Sequence, residues 1–244
     1  MSEQRKIKAA LISVFHKEGL GDIVAKLHAE SVTIYSTGGT QRYIEQQGIP
    51  VEAVEGLTSY PSILDGRVKT LHPKVFGGIL ARREADHQAQ LDQYNIPEID
   101  LVIVDLYPFE ETVASTDDEA TIIEKIDIGG ISLIRAAAKN YKDVVIIPSR
   151  AEYAPLLDLL EHQGAQTNLA QRKKFALAAF QVSSHYDVAI HNYFNKDLQE
   201  GGFKQSIPYS MPLRYGENPH QAGSFHGDLE EIFDILGGKA LSYN

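Results

Sequence analysis

The chain has 244 residues, 43% of them hydrophobic and 23% charged, with 23 basic against 33 acidic side chains and a formal net charge of −10. That supplies apolar material for one large domain, or one domain plus a fragment, and the acidic balance argues against a broad nucleic-acid footprint. The absence of cysteine removes disulfide frameworks and thiol nucleophiles from consideration. A polar N-terminus without an apolar signal core and the lack of any apolar run near the roughly 20 residues of a membrane helix lead to the expectation of a cytoplasmic chain with no membrane partner.

Residues 7–14 read as a buried strand, since Ala9, Ala10, Leu11, Ile12 and Val14 are apolar without clean alternation, as in parallel sheets covered on both faces. Ser13, Phe15, His16 and Lys17 fall at its C-terminal end. An amphipathic helix follows over 19–30, with Leu20, Ile23, Val24 and Leu27 at helical spacing. A second strand, 32–36, runs into Ser36-Thr37-Gly38-Gly39-Thr40 and then a helix-like segment, 41–47. A glycine pair permits a sharp turn, and the helix opens with free N–H groups and the positive end of its dipole. Hydroxyls around such an opening suit a phosphate. The same pattern also describes a polar turn with an N-cap threonine. With a third strand over 51–54, the β-α-β-α-β opening predicts an α/β fold with a doubly wound, mostly parallel sheet. Ligands of such sheets sit beyond the carboxyl ends of the strands.

Residues 56–81 show little periodicity and read as a long packed loop, of the kind that is usually functional. It carries Arg67, Lys69 and Lys74, a cationic group close to a phosphate turn. His72 before Pro73 is held extended and reads as structural. Arg82 and Arg83 read as a solvated helix start before a polar helix, 84–94. A buried strand over 99–106 delivers Asp105 and Tyr107 to the same edge as the glycine turn. Residues 119–126 read as helical. Asp127-Ile128-Gly129-Gly130 is a second glycine-paired turn, followed by a helix over 131–141. Asp127 has the common explanation of a cap. Lys139 stands twelve residues on, roughly 18 Å away if the helix is unbroken. Either the helix starts late or bends, or only one of the two does chemistry.

A strand over 144–147 and a helix over 153–163 complete the alternation. Residues 168–197 read as one long helix or two, with a stripe of Leu169, Ala176, Phe180, Ser183, Ile190 and Phe194 assigned to core packing rather than to a dimer seam. His185 and His191 lack the spacing of a helical metal pair and no HExxH occurs, so no metal is assigned. Residues 200–211 read as a linker. The segment beyond, opening with Leu213 to Gln221, reads as the start of a second domain.

Five stretches together carry a resemblance. They are STGGT (36–40), GRVKTLHP (66–73), DLYPF (105–109), DIGGISLIRAAAKN (127–140) and LRYGENPHQ (213–221). In this order, over nearly the whole chain, the sequence resembles the bifunctional purine biosynthesis proteins. These combine inosine monophosphate (IMP) cyclohydrolase with aminoimidazole carboxamide ribonucleotide (AICAR) formyltransferase. The resemblance implies a cyclohydrolase domain of methylglyoxal-synthase-like fold over 1–199, a linker over 200–211 and a truncated start of the formyltransferase domain over 212–244. The expected partners are the nucleotides formyl-AICAR and IMP, in a homodimer. Cyclisation would need no cofactor. 10-Formyltetrahydrofolate is the co-substrate of the formyltransferase domain, whose activity is not expected here.

Carried over by motif, Ser36, Thr37, Gly38, Gly39 and Thr40 would hold the phosphate, with Ser13 and Lys17 in the loop after the first strand. Arg67, Lys69 and Thr70 match the binding loop. Lys69, Tyr107, Asp127 and Lys139 match catalytic positions, Gly129 a contact on the base side, and Asp105 a further contact. Two departures stand out. Many relatives read Ser-Val-Ser-Asp-Lys where this chain has Ser13-Val14-Phe15-His16-Lys17, which removes a hydroxyl near the phosphate and is expected to alter affinity. Asp105 stands where some relatives have Asn. Two competing readings share the phosphate turn. One is a methylglyoxal-synthase-like lyase acting on a triose phosphate, and the other is a nucleotide sensor without catalysis. The lyase leaves GRVKTLHP and LRYGENPHQ unexplained, and the sensor does not need Lys69, Tyr107 and Asp127 together.

Overall fold

In the computed structural model, residues 4–198 and 200–229 are described, together with 233, 234, 236, 237, 239 and 241–243. In chain order the elements are β1 (Arg5–Lys6), β2 (Ala9–Val14), α1 (Leu20–Ala29), β3 (Thr33–Ser36), α2 (Gly38–Gln46), β4 (Glu52–Ala53), α3 (Val54–Thr58), α4 (Pro73–Leu80), α5 (Ala85–Gln93), β5 (Leu101–Asp105), α6 (Phe109–Ser115), α7 (Glu119–Ile123), α8 (Gly129–Lys139), β6 (Val145–Ile147), α9 (Tyr153–Gln163), β7 (Gln166–Thr167), α10 (Leu169–Leu198), β8 (Ser210–Pro212) and β9 (Ser224–His226). The chain divides into two compact units between Ser183 and Ser184. The last expected domain, 212–244, falls partly outside the described residues, as does position 199, where the first was expected to end.

Five parallel strands in the order β4-β3-β2-β5-β6 frame the first unit. The chain steps outward from β2 through β3 to β4. It then returns to the other side of β2 as β5 and steps outward again to β6. Strand order thus reverses between β2 and β5, which opens a crevice beyond their carboxyl ends. Apolar residues of β2 and β5 are buried on both faces of the sheet, Leu11, Ile12, Leu101, Val102 and Ile103 completely. Such continuous burial is the reason the two strands read as unbroken hydrophobic runs.

The expected strand over 7–14 starts later, as β2 at Ala9, and is preceded by a separate short strand, β1. Ile7 donates its N–H to Ala165 O at 2.7 Å, and β1 pairs antiparallel with β7. The Asp100 carboxylate accepts the N–H groups of Lys8 and Ala9 at 2.8 and 3.1 Å. One segment therefore serves two sheets.

Residues 56–81 carry more regular structure than their composition suggests. α4 begins at Pro73, where a missing N–H costs nothing, and His72 caps it by accepting the Lys74 N–H on Nδ1 at 3.1 Å. A single 3-10 turn spans Leu64–Gly66. The expected solvated helix start at Arg82 and Arg83 holds for Arg82 alone. The Arg83 guanidinium is buried, donating to Ala81 O and Ile99 O at 2.8 and 3.1 Å and pairing with Asp100 at 3.2 Å. Helix α6 has no counterpart among the elements expected from the sequence.

Gly78 in α4 sets how closely that helix approaches the loop before β5. A Cβ there would lie 2.4 Å from the Pro97 carbonyl oxygen, and backbone cannot yield as a side chain can. Gly78→Ala should therefore destabilise the fold by about 1–3 kcal/mol. A thermal melt should register this as a loss of about 2–4 °C per kcal/mol.

α10 is one continuous helix. Its expected apolar stripe is only partly core, since Ala176 and Ser183 are buried while Phe180 and Phe194 stay substantially exposed. Phe180 lies under the Arg135 guanidinium, 5.8 Å from its ring centroid. Arg172 of the same helix is fully buried and donates to the carbonyls of Tyr141, Lys142 and Thr167 at 2.8–3.0 Å. In the second unit β8 and β9 form an antiparallel pair, with Met211 opposite Phe225. Among the described residues no helix is long and apolar enough to cross a membrane.

Candidate functional site

A cavity of about 600 Å³ opens at the carboxyl ends of β2, β3 and β5. Its walls are the end of β2 with Ser13, Phe15 and Lys17, the β3–α2 turn with Thr37, Gly39 and Thr40, and the loop with Asp65, Gly66, Arg67, Lys69 and Thr70. The end of β5 adds Asp105 and Tyr107, and the segment entering α8 adds Asp127, Gly129 and Gly130. The volume lies in the range of small-molecule sites, roughly 300–1,000 Å³.

The β3–α2 turn opens a helix onto the cavity. Thr37 is extended, Gly38 takes φ +50° and α2 starts at once. The first N–H groups of a helix have no intrahelical partner, and Gly39 of this first turn lies on the cavity wall. Thr40 joins the turn to β2. Its Oγ1 donates to Val14 O at 3.0 Å and lies 3.2 Å from the Val14 N–H, which donates to it. Ser36 is fully buried and donates to Ile12 O at 2.7 Å. The strand alternation turns its hydroxyl into the sheet, so this expected phosphate ligand is not brought to the cavity. Gly38 supplies the bend without lining the wall. Lys17 curls back on the β2 end, its Nζ donating to Val14 O at 2.5 Å and Phe15 O at 2.7 Å. Burial lowers its pKa, against the opposing pull of Asp105 and Glu18.

The cationic loop is tightly wound. Leu64, Asp65 and Gly66 are consecutive residues at φ 54°, 54° and 89°, and the Ile63–Val68 bridge closes the loop at its base. Left-handed backbone at two non-glycine residues costs about 1–3 kcal/mol each and concentrates at functional sites. The winding presents Arg67 to Glu124, with which it forms an exposed ion pair. That pair holds the Glu124 carboxyl below its ordinary value. Thr70, at the other end, is buried against α8. A Cβ on Gly129 would lie 3.1 Å from Thr70 Oγ1, so the bare glycine is what lets loop and helix meet.

Asp127 sits where these pieces converge. Its carboxylate accepts the Gly130 N–H at 2.6 Å, and the Tyr107 backbone also donates to it. Burial raises its pKa, opposed by those two hydrogen bonds and by the Lys69 ammonium. Cap and cavity-lining group are thus the same residue. The Tyr107 phenol is likewise raised, by burial first and then by the charges of Asp127 and Glu124. A carboxyl and a phenol with raised proton affinities line one cavity with an ammonium, the side-chain types that proton transfer requires. Gly130 is needed under Asp127, because a Cβ would lie 2.6 Å from Oδ2. Gly130→Ala should displace the carboxylate from its 2.6 Å hydrogen bond to the backbone N–H of residue 130, which a crystal structure of the variant would show.

Asp105 lines the cavity with one carboxylate oxygen already engaged by His16. Its Oδ2 accepts the His16 backbone N–H at 2.8 Å and faces His16 Nδ1 at 2.8 Å. Lys139 lies outside the cavity. It ends the unbroken helix α8, ten residues past Gly129, or about 15 Å at 1.5 Å per residue. Of the two alternatives for Asp127 and Lys139, this chain by itself brings only Asp127 to the cavity. Sequence reasoning passed over Asp65, Glu124 and Lys125. Glu124 meets Arg67 across 57 positions, a separation with no local signature. Lys125 extends its Nζ to 5.4 Å from the Phe15 ring and 5.6 Å from the Tyr107 ring.

Residues 19–132 match the family profile described as an MGS-like domain, and residues 137–244 match that of the AICARFT/IMPCHase bienzyme. Over its whole length the chain is 61% identical to the bifunctional purine biosynthesis protein PurH of Bacteroides thetaiotaomicron. It is 47% identical to that of Rhodopirellula baltica and 43% to that of Chloroflexus aurantiacus. These alignments cover 48%, 49% and 48% of the relatives, so the chain spans about half the length of the curated proteins it matches. Among solved structures, the one titled "Crystal structure of ForH" superposes with a TM-score of 0.68 at 33% identity, covering 77% of this chain and 99% of that one.

Proposed function

The chain belongs to the family of bifunctional purine biosynthesis proteins, matching their N-terminal part, and from that premise we propose that it is an IMP cyclohydrolase that closes formyl-AICAR to IMP with loss of water. The observation that carries this reading is the convergence of Lys69, Tyr107 and Asp127 with the Thr37–Thr40 turn on one cavity. The substrate's phosphate docks on the turn, against the first N–H groups of α2. Its reacting arms then lie toward Lys69, Tyr107 and Asp127.

Both reacting groups belong to one molecule, so holding a near-attack conformer supplies much of the catalysis. The carboxamide nitrogen attacks the formyl carbon. A C–N bond forms, the carboxamide gives up one proton, and the formyl oxygen becomes a carbinolamine oxyanion. Asp127, with its raised proton affinity, accepts the proton. The Lys69 ammonium faces the oxyanion, where a fixed cation is most effective. Lys69, assisted by Tyr107, then protonates the oxygen. The proton held by Asp127 passes to the resulting hydroxyl, the C–O bond breaks with loss of water, and the second N–H proton goes to the Lys69 amine, which completes the C=N bond of the ring and restores both side chains.

Incubating the purified chain with formyl-AICAR and following IMP tests the proposal. IMP formation at a rate far above the spontaneous one is the expected result. Tight binding of the nucleotide without turnover would instead favour a sensor. Activity on a triose phosphate alone would favour the lyase.

A further inference from the structure

Phe15 enters the site from an unexpected direction. Its place in the loop after β2 suggested an effect on phosphate affinity, but the contacts its ring makes are with Tyr107 and His16. It meets the Tyr107 ring edge-on, with centroids 5.4 Å apart and planes at 76°. On its other side it meets the His16 imidazole at 4.8 Å and 81°. His16 is in turn fixed by the two 2.8 Å contacts to Asp105. Lys125 Nζ closes the group, within 5.6 Å of both the Phe15 and Tyr107 centroids. A line of contacts therefore leaves the end of β5 at Asp105, passes through His16 and Phe15, and ends at Tyr107, two residues beyond that strand.

We propose that Phe15 is a positioning residue for Tyr107, bracing its ring through the Asp105–His16–Phe15 line so that the phenol faces the reacting arms of the substrate. Tyr107 is 40% exposed, so tight packing on all sides does not fix its rotamer. Edge-to-face aromatic contacts have preferred geometry and a cation over both rings adds to it. An ångström of misplacement in a group that moves a proton is felt in the chemical step and not in ground-state binding. The inference rests on the cyclohydrolase reading for its kinetic consequence, though the brace itself does not.

Two measurements decide it. In steady-state kinetics with formyl-AICAR, Phe15→Ala should lower kcat about tenfold while KM stays within about twofold. Phe15→Tyr, which keeps the ring edge, should restore kcat to near wild type. Thermal melts should fall by only a few degrees, because Phe15 is 38% exposed and lies outside the buried core. In parallel, the chain labelled with 3-fluorotyrosine gives a fluorine signal for Tyr107, assigned by its loss in Tyr107→Phe. In Phe15→Ala that signal should move toward the position of free fluorotyrosine. A rise in KM with kcat unchanged, or a Tyr107 signal that stays in place, would overturn the proposal. A wild-type chain that forms no IMP, with a Tyr107 signal that still responds to Phe15, would sink the cyclohydrolase reading and leave the brace standing.

Discussion

Asp127→Asn should fold at least as stably as the wild type at neutral pH and form IMP at least about a hundredfold more slowly, the loss typical of a missing acid–base group. The two effects have one cause. Burial raises the Asp127 pKa in the folded chain, so the fold favours the protonated carboxyl. Stability associated with this group is complete below the unfolded carboxylate pKa and is lost as pH rises through the folded value. At pH 7 the ionised carboxylate is therefore less favourable to the fold than a neutral group of the same shape would be. Asn removes the charge and still offers an oxygen to the Gly130 N–H, which the carboxylate accepts at 2.6 Å. The melting temperature of the variant should equal or exceed that of the wild type at pH 7, and the gap should narrow as pH falls toward 4. A variant that melts well below the wild type at pH 7 would mean that Asp127 is chiefly a cap.

Lys69→Met should cost more, about 10²–10⁴-fold in kcat, with a smaller change in KM. Methionine fills the space of the lysine stem but supplies neither the cation for the oxyanion nor the proton for the departing oxygen. Lys69 reaches the cavity because of the loop it closes. Gly66 at φ +89° turns the chain, and the Lys69 Nζ lies 3.6 Å from where a Cβ on Gly66 would be. Removing the ammonium should also raise the proton affinity of Asp127 further, since Lys69 is one of the groups that lower it. The acidic limb of the pH–rate profile, where the Asp127 base takes up its proton, should therefore move to higher pH in the variant, an effect that loss of packing alone would not produce.

The parallel sheet was legible because β2 and β5 are buried on both faces and show it as apolar runs. The position of the site followed from that, since the glycine turn, Asp105 and Tyr107 all fall at carboxyl ends of strands. Individual side-chain directions did not follow. Ser36 looks like a phosphate ligand by type and place, but the strand alternation spends its hydroxyl on Ile12 O. Lys139 carries the family motif, yet the rise of an unbroken helix already set it far from Asp127. The Pro73 start of α4 was written in the sequence and was hidden by the charged residues before it. The buried Arg83, the Arg67–Glu124 pair and the Asp105–His16 contact depend on residues brought together by the sheet from distant positions, and neither composition nor periodicity records them. The substitution of Phe15 and His16 for a shorter polar pair was visible, but which neighbour their rings would meet was not.

A crystal structure of this chain with IMP bound tests the central claim most directly, namely that one cavity grips the phosphate at the β3–α2 turn and presents the ring-closing atoms to Lys69, Tyr107 and Asp127. The expected density has phosphate oxygens within hydrogen-bond distance of the N–H groups that open α2, and the purine beside Lys69 and Asp127. A nucleotide bound in the opposite sense, with its base at Thr37 and its phosphate on Arg67 and Lys69, or bound outside the cavity altogether, would contradict it.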